Sequence, residues 1–171
     1  MDFFKVIERR QSVRGYSDLA VEPDKLQQIL QAANRAPSAG NLQAYEIVVV
    51  RDADRKRALV SASGDQWFVG QAPVVLVFCA HPARSAPKYR ERGERLYAVQ
   101  DATIACTYAM LAATALGLGT VWVGAFAEPG VRTALNLAKD WLPIALLPVG
   151  YPSEPPRPST RRSLKDLVHE V

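Results

Sequence analysis

Residues 36–50 read APSAGNLQAYEIVVV, and the two halves of this stretch ask for different things. YEIVVV at 45–50 is apolar and β-branched, a strand by composition and length. Ahead of it, Pro37, Ser38, Ala39, Gly40 and Asn41 carry nothing large. One reading makes them a helix-to-strand turn with Gly40 or Asn41 in the left-handed region. The other makes them a loop of small residues, along which backbone can approach a planar group or a phosphate that bulkier side chains would exclude.

Upstream, Pro23 suits a first helical turn, and Leu26, Ile29, Leu30 and Ala33 form one apolar face. That helix must end at Ala36, because the residue before a proline disfavours the helical region. DFFKVIERR at 2–10 predicts a shorter helix capped by Asp2, with Phe3, Val6, Ile7 and Arg10 on one side. Downstream, Asp52 caps a helix reaching Ser61, and SGDQWFVGQA at 63–72 reads as a polar loop. PVVLVFC at 73–79 is a strand whose unbroken apolar run implies burial on both faces. The 101–116 helix has almost no polar face and so needs cover all round, for which a second copy of the chain is the expected source. Gly117 is its C-cap. GLGTVWVG at 117–124 has a helix before it and a strand after it, the reverse of a dinucleotide fingerprint. TVWV at 120–123 and IALLPV at 144–149 are further strands, with a short helix in EPGVRTALNL between them. Five of the twelve prolines lie at 148–158, which predicts an extended arm leading to the compact tail RRSLKDLVHEV.

At 171 residues the chain suits a single domain, residues 1–171, with 148–171 as its arm. Hydrophobic residues at 49% and charged residues at 22% are globular values, and no stretch has the uncharged length of a membrane span. Asp2, Lys5 and Glu8 break any signal-peptide pattern, so a cytoplasmic protein without a membrane partner is expected. Cys79 and Cys106 sit in apolar company without a CxxC spacing, and His81 and His169 are far apart. They read as buried hydrophobes and as loop or surface residues, with no metal site. The net charge of +4 invites a nucleic-acid reading. The cations, however, fall into three groups (Arg9, Arg10 and Arg14; 84–95; Arg157, Arg161 and Arg162) without the interleaved aromatics that such binding uses, so no nucleic-acid partner is expected.

RRQSVRGY at 9–16, PSAGN at 37–41 and TRR at 160–162 share one explanation. Arginines interleaved with a serine hydroxyl can fork onto a phosphate through charge-assisted hydrogen bonds. With a small-residue loop, they point to a flat, phosphorylated cofactor.

In order along nearly the whole chain, RRQSVRGY, PSAGNLQ, APVVLVFC, QDATIACTYAMLAATALGLGTVWVGAF, PVGYP and the late RR resemble the nitroreductase family of FMN-dependent flavoproteins. The resemblance implies an α+β fold, a central, mainly antiparallel sheet flanked by helices. It implies an intertwined homodimer with two FMN sites at the subunit interface, residues 148–171 crossing to the partner. It also implies NAD(P)H as hydride donor and a small organic electron acceptor (a nitroaromatic, a quinone or similar) used in turn by ping-pong. The flavin carries the chemistry, so no catalytic side chain is expected. Carried over by position, Arg10 and Ser12 match residues at the FMN phosphate and ribityl chain, with Gln11 beside them. Arg14 matches the cation near the pyrimidine edge, where it would stabilise developing negative charge. Arg161 or Arg162 matches a late phosphate-binding arginine. Pro37, Ser38, Ala39, Gly40 and Asn41 match a loop that passes along the flavin from the other subunit. VWVGAF matches a segment whose backbone N–H faces the ring, placing Val123, Gly124 and Ala125 there.

The departures are specific. The long helical insertions of many members are absent, so any lid must come from 83–96, expected to be mobile without ligand and to offer its cations to the nicotinamide phosphates. A second lysine common at the pyrimidine is missing from SGDQWFVGQ, and Gln66 is the expected neutral donor in its place. Gly124 stands where a glutamate is frequent. A flavin-dependent dehalogenase or flavin-fragmenting branch of the family is the nearest alternative function. A non-catalytic basic binding module is the alternative from another class.

Overall fold

The computed structural model describes residues 2–155 and 159–171; Arg157 of the terminal cation group, with Pro156 and Pro158 of the expected arm, lies outside them. Its centre is β2 (Val74–Ala80), in which every residue is buried. The strand pairs antiparallel with β1 (Tyr45–Val50) on one side and β4 (Leu142–Gly150) on the other, and a two-residue β3 (Gly119–Thr120) closes the sheet in the order β1-β2-β4-β3.

Both faces of this antiparallel sheet are covered, which is why the 73–79 run is apolar at every position rather than at alternate ones. Val74, Leu76, Phe78 and Ala80 point into one core, with Leu26, Ile29 and Ala33 of α2 (Pro23–Asn34) and the alanine-rich side of α6 (Ala98–Ala115). Val75, Val77 and Cys79 point into the other, with Leu59 of α3 (Ala53–Ala62), Phe68 and Val69 of α4 (Phe68–Gln71), and Val131 and Leu135 of α7 (Glu128–Leu135). Full burial of a side chain such as Phe78 contributes about 1.5–3 kcal/mol. Cys79 and Cys106 are free and buried, as read from the sequence, and burial pushes the Cys79 thiol up to about 12.

The helix caps agree with the sequence reading. Asp2 accepts from the Lys5 N–H (3.3 Å) ahead of α1 (Phe3–Arg9), and Asp52 accepts from the Arg55 N–H (2.9 Å) ahead of α3. Gly117 (φ 79°) ends α6, with its own N–H and that of Leu118 donating to Thr114 and Ala113 carbonyls.

Three readings change. Phe68 and Val69, buried in α4, turn part of the expected polar loop into a helical turn. TVWV is not a continuous strand: only Thr120 belongs to β3, and Val123 rejoins the sheet alone, opposite Leu146. Pro148 still pairs with Val75 inside β4, so the extended arm starts after Gly150. The sheet and α2 occupy one side of α6 and leave Thr107 and Tyr108 exposed within one chain, so its own chain does not cover it all round. Phe3, Phe4, Leu164, Leu167 and Val168 are exposed as well. Among the described residues no helix is long and apolar enough to cross a membrane.

Candidate functional site

The RRQSVRGY segment is held as an extended strip against the end of the sheet. Val13 donates its N–H to the Thr120 carbonyl (3.0 Å), and Ser12 lies parallel beside Thr120. Ser17 N–H donates to the Tyr151 carbonyl (2.9 Å) and Ser153 N–H to the Gly15 carbonyl (3.1 Å), which fastens the root of the C-terminal arm to the same strip. Tyr16 pins it from below. The ring is 1% exposed, its hydroxyl donates to the Val13 carbonyl (2.9 Å), and its N–H donates to Gln71 Oε1 (2.9 Å). Burial raises the Tyr16 phenol well above its ordinary value, partly offset by the charge of Arg14, so the hydroxyl stays a donor.

A cleft of about 750 Å³ opens beside this strip, a size suited to a small-molecule ligand. Ser12, Val13, Arg14 and Gly15 line it from one side, Trp67 and Gln71 from another, and Ser153, Glu154, Pro155 and Ser159 of the arm close it. Arg10 stands two residues upstream as the C-cap of α1, half-buried beside Gln11. Neither Arg10 nor Arg14 forms an ion pair among the described residues. The Arg14 guanidinium and the Ser12 hydroxyl at this cleft, with Arg10 two residues upstream, are donors of the kind a phosphate takes.

The VWVGAF segment presents a second set of donors. Val123 commits both main-chain groups to Leu146 (3.0 and 2.9 Å), so it anchors the segment. The Gly124 and Ala125 N–H groups make no hydrogen bond within the described residues. A Cβ at Gly124 would lie 2.9 Å from Trp122 Nε1, so the indole would have to move to admit a side chain there. Gln66 donates to the Ser63 carbonyl (2.8 Å) and the Ala125 carbonyl (3.1 Å). Both amide hydrogens are therefore committed inside the chain, and the residue braces the Gly124–Ala125 turn instead of extending a free donor.

Pro37, Ser38, Ala39, Gly40 and Asn41 lie elsewhere. Pro37, Ser38 and Ala39 line a different cleft of about 510 Å³, together with Tyr97, Gln100, Asp101, Thr103 and Ile104. Both candidates named for the left-handed region adopt it, Gly40 at φ 57° and Asn41 at φ 56°, and Gln43 joins them at 49°. Residues 83–96 are mostly helical: α5 (Pro82–Arg92), broken by a kink at Arg90 (φ 52°), continues through a wide turn, Gly93–Tyr97, into α6. This segment docks on the loop, with Lys88 Nζ and Tyr89 Oη each 2.6 Å from where a Gly40 Cβ would be. Tyr89 packs edge-on against Tyr97 (5.0 Å), and Arg92 Nε donates to the Tyr97 hydroxyl (2.9 Å).

A single chain thus gathers Ser12, Arg14 and the arm around one cleft and keeps Pro37–Asn41 at another. Arg161 and Arg162 are exposed and bonded within the tail, Arg161 to Ser159 Oγ (2.7 Å) and Arg162 to the Asp166 carbonyl. Trp67, Gln71 and Ser153 line the first cleft without having been singled out from the sequence. Trp67 carried a readable signal, a large aromatic at the end of the polar 63–66 run, and it is 61% exposed.

The nitroreductase family model matches residues 7–71 and 62–151. The chain is 36% identical over 187 residues to an NADH dehydrogenase of Thermus thermophilus, covering 94% of this chain and 91% of that protein. It is 32% identical over 166 residues to an FMN reductase [NAD(P)H] of Bacillus subtilis, covering 90% and 67%. The solved structure of NfrA2 from B. megaterium superposes with a TM-score of 0.91 at 31% identity, covering 99% of this chain and 74% of that one. By fold and by similarity along its length, the chain belongs to the nitroreductase family.

Proposed function

We propose that the chain acts as an NAD(P)H-dependent FMN oxidoreductase, assembled as a homodimer and working by ping-pong on a small organic acceptor. Family membership makes it an oxidoreductase that uses a nicotinamide donor. The observation that carries the cofactor assignment is the cleft lined by Ser12 and Arg14, whose guanidinium forms no ion pair among the described residues. FMN, when bound, supplies the hydride-accepting ring, taking reducing equivalents from NAD(P)H and passing them to a nitroaromatic, a quinone or a similar acceptor.

The chain's own residues supply position and charge. Arg10 and Ser12 would hold the phosphate and ribityl end, with Gln11 beside them, and Arg161 or Arg162 would add a late cation. Arg14 would place positive charge at the pyrimidine edge, where it would stabilise developing negative charge. The uncommitted N–H groups of Gly124 and Ala125 would donate to the ring, braced by Val123 and Gln66. Pro37, Ser38, Ala39, Gly40 and Asn41 would reach the cofactor from the partner subunit, a reading supported by their separation from the clamp cleft in one chain. The apolar surface on α1, α6 and the tail is the kind that a second copy covers.

Replacing Arg10 by alanine tests the assignment. The protein should fold as before and lose FMN on gel filtration. Unchanged flavin occupancy would remove Arg10 from the clamp.

A further inference from the structure

Asp101 is the one charged residue in α6, whose other positions are Ala, Thr, Ile, Val, Leu, Met, Cys, Tyr and Gln. It is 2% exposed and has no cationic partner among the described residues. A carboxylate is costly to bury and persists only where strong hydrogen bonds replace its water. Here both bonds come from one loop: the Ala39 N–H donates to Oδ1 (2.9 Å) and the Ala44 N–H to Oδ2 (3.2 Å). These two amides bracket the turn that holds Gly40, Asn41 and Gln43 at positive φ. Residues other than glycine rarely keep that conformation unless their surroundings impose it. The turn's internal bonds, Gln43 N–H to Ser38 Oγ (3.0 Å) and Leu42 N–H to the Ala39 carbonyl (3.1 Å), tie the turn to itself. Asp101 ties it to the helix beneath.

We infer that Asp101 is a positioning residue for the cofactor-facing loop: its carboxylate holds Ala39 and Ala44 so that Pro37–Asn41 presents its small residues to the flavin. The inference rests on the FMN reading above. Asp101 lies under the loop and acts through it, and the two-oxygen geometry is the functional element. Asp101→Asn keeps the size and turns one acceptor into an NH₂ group facing an amide N–H. Loss of one charge-assisted bond predicts FMN affinity about ten- to hundredfold weaker.

The experiment pairs two measurements on wild type and Asp101→Asn. Hydrogen exchange on the FMN-free protein should show protection lost at Ala39 and Ala44 while the amides of β2 keep theirs. Fluorescence titration with FMN should then show the weaker binding. If Asp101→Asn does not fold, Asp101→Glu takes its place, since it keeps the charge and both oxygens but sets them one methylene further out. It should weaken FMN binding as well, which separates position from charge. Wild type that binds FMN together with a folded variant that binds it equally well overturns the inference alone. Unchanged exchange at Ala39 and Ala44 does the same. Wild type that takes up no FMN overturns the cofactor reading and this inference with it.

Discussion

Gly119→Ala should loosen the phosphate clamp by steric pressure from behind. A Cβ at Gly119 would lie 2.7 Å from Val13 Cγ2 and 2.9 Å from both Val13 Cβ and Cγ1, against 3.4 Å for ordinary contact. All three atoms belong to one β-branched side chain, whose stiff χ1 leaves it little room to swing aside. Relief must come from the strip itself, and that strip carries Ser12 and Arg14 on either side of Val13. Overpacking of this kind costs about 1–3 kcal/mol, which for a chain of this size lowers the melting temperature by roughly 2–12 °C. If one charge-assisted contact to the phosphate is lost with it, FMN affinity falls by about ten- to hundredfold. Gly117→Ala is the matched control. Gly117 has φ 79° with nothing within 4 Å of its Cβ position, so alanine there meets backbone strain and no neighbour. That strain is worth about 1–2 kcal/mol, and the clamp is untouched. Melting of the FMN-free proteins reads stability, and flavin fluorescence titration reads affinity. Both variants should melt earlier, and only Gly119→Ala should bind FMN more weakly. Equal FMN affinity in the two variants would refute the claim that β3 sets the clamp.

Two further outcomes follow from charges at the ends of the site. Glu22 is held down to about 2, first by a hydrogen bond from the Tyr151 hydroxyl and further by Lys25, where the arm leaves the sheet. A depressed carboxyl stabilises above its ordinary value of 4.5 and loses that contribution as pH falls toward 2. The melting temperature of Glu22→Gln relative to wild type should therefore converge with it across that window, and a constant gap would contradict the contact; the group is exposed, so the gap should also shrink with salt. Replacing Lys88 and Arg92 together by alanine should raise the Michaelis constant for NAD(P)H and flatten its salt dependence while FMN stays bound, because exposed charge contacts are screened by salt. Steady-state kinetics identical to wild type at every ionic strength would return α5 to plain surface.

The elements legible in the sequence are those decided locally or by strong pattern. The uniformly apolar 73–79 run announced a strand covered on both faces, and the small residues of PSAGN offered Gly40 or Asn41 for the left-handed region, which both adopt. Asp2, Asp52 and Gly117 marked helix ends through their own chemistry. What escaped was decided by partners distant in sequence. TVWV has strand composition, yet β4 offers pairing only at Thr120 and again at Val123, so the middle leaves the sheet. Gln66 looked like a free donor until Ala125, 59 residues away, was seen to take its hydrogen. Asp101 is the one acid of an apolar helix, and its meaning lies in two amides of a loop 57 and 62 residues upstream.

The central claim is that this chain binds FMN and reduces it with a nicotinamide. Anaerobic spectrophotometric titration of the FMN-reconstituted protein with NADH and with NADPH tests it most directly. The predicted result is a yellow protein whose flavin absorbance is lost stoichiometrically on addition of at least one of the two nucleotides and restored by a quinone or nitroaromatic. A protein that retains no FMN, or whose bound flavin stays oxidised in both nucleotides, would contradict it.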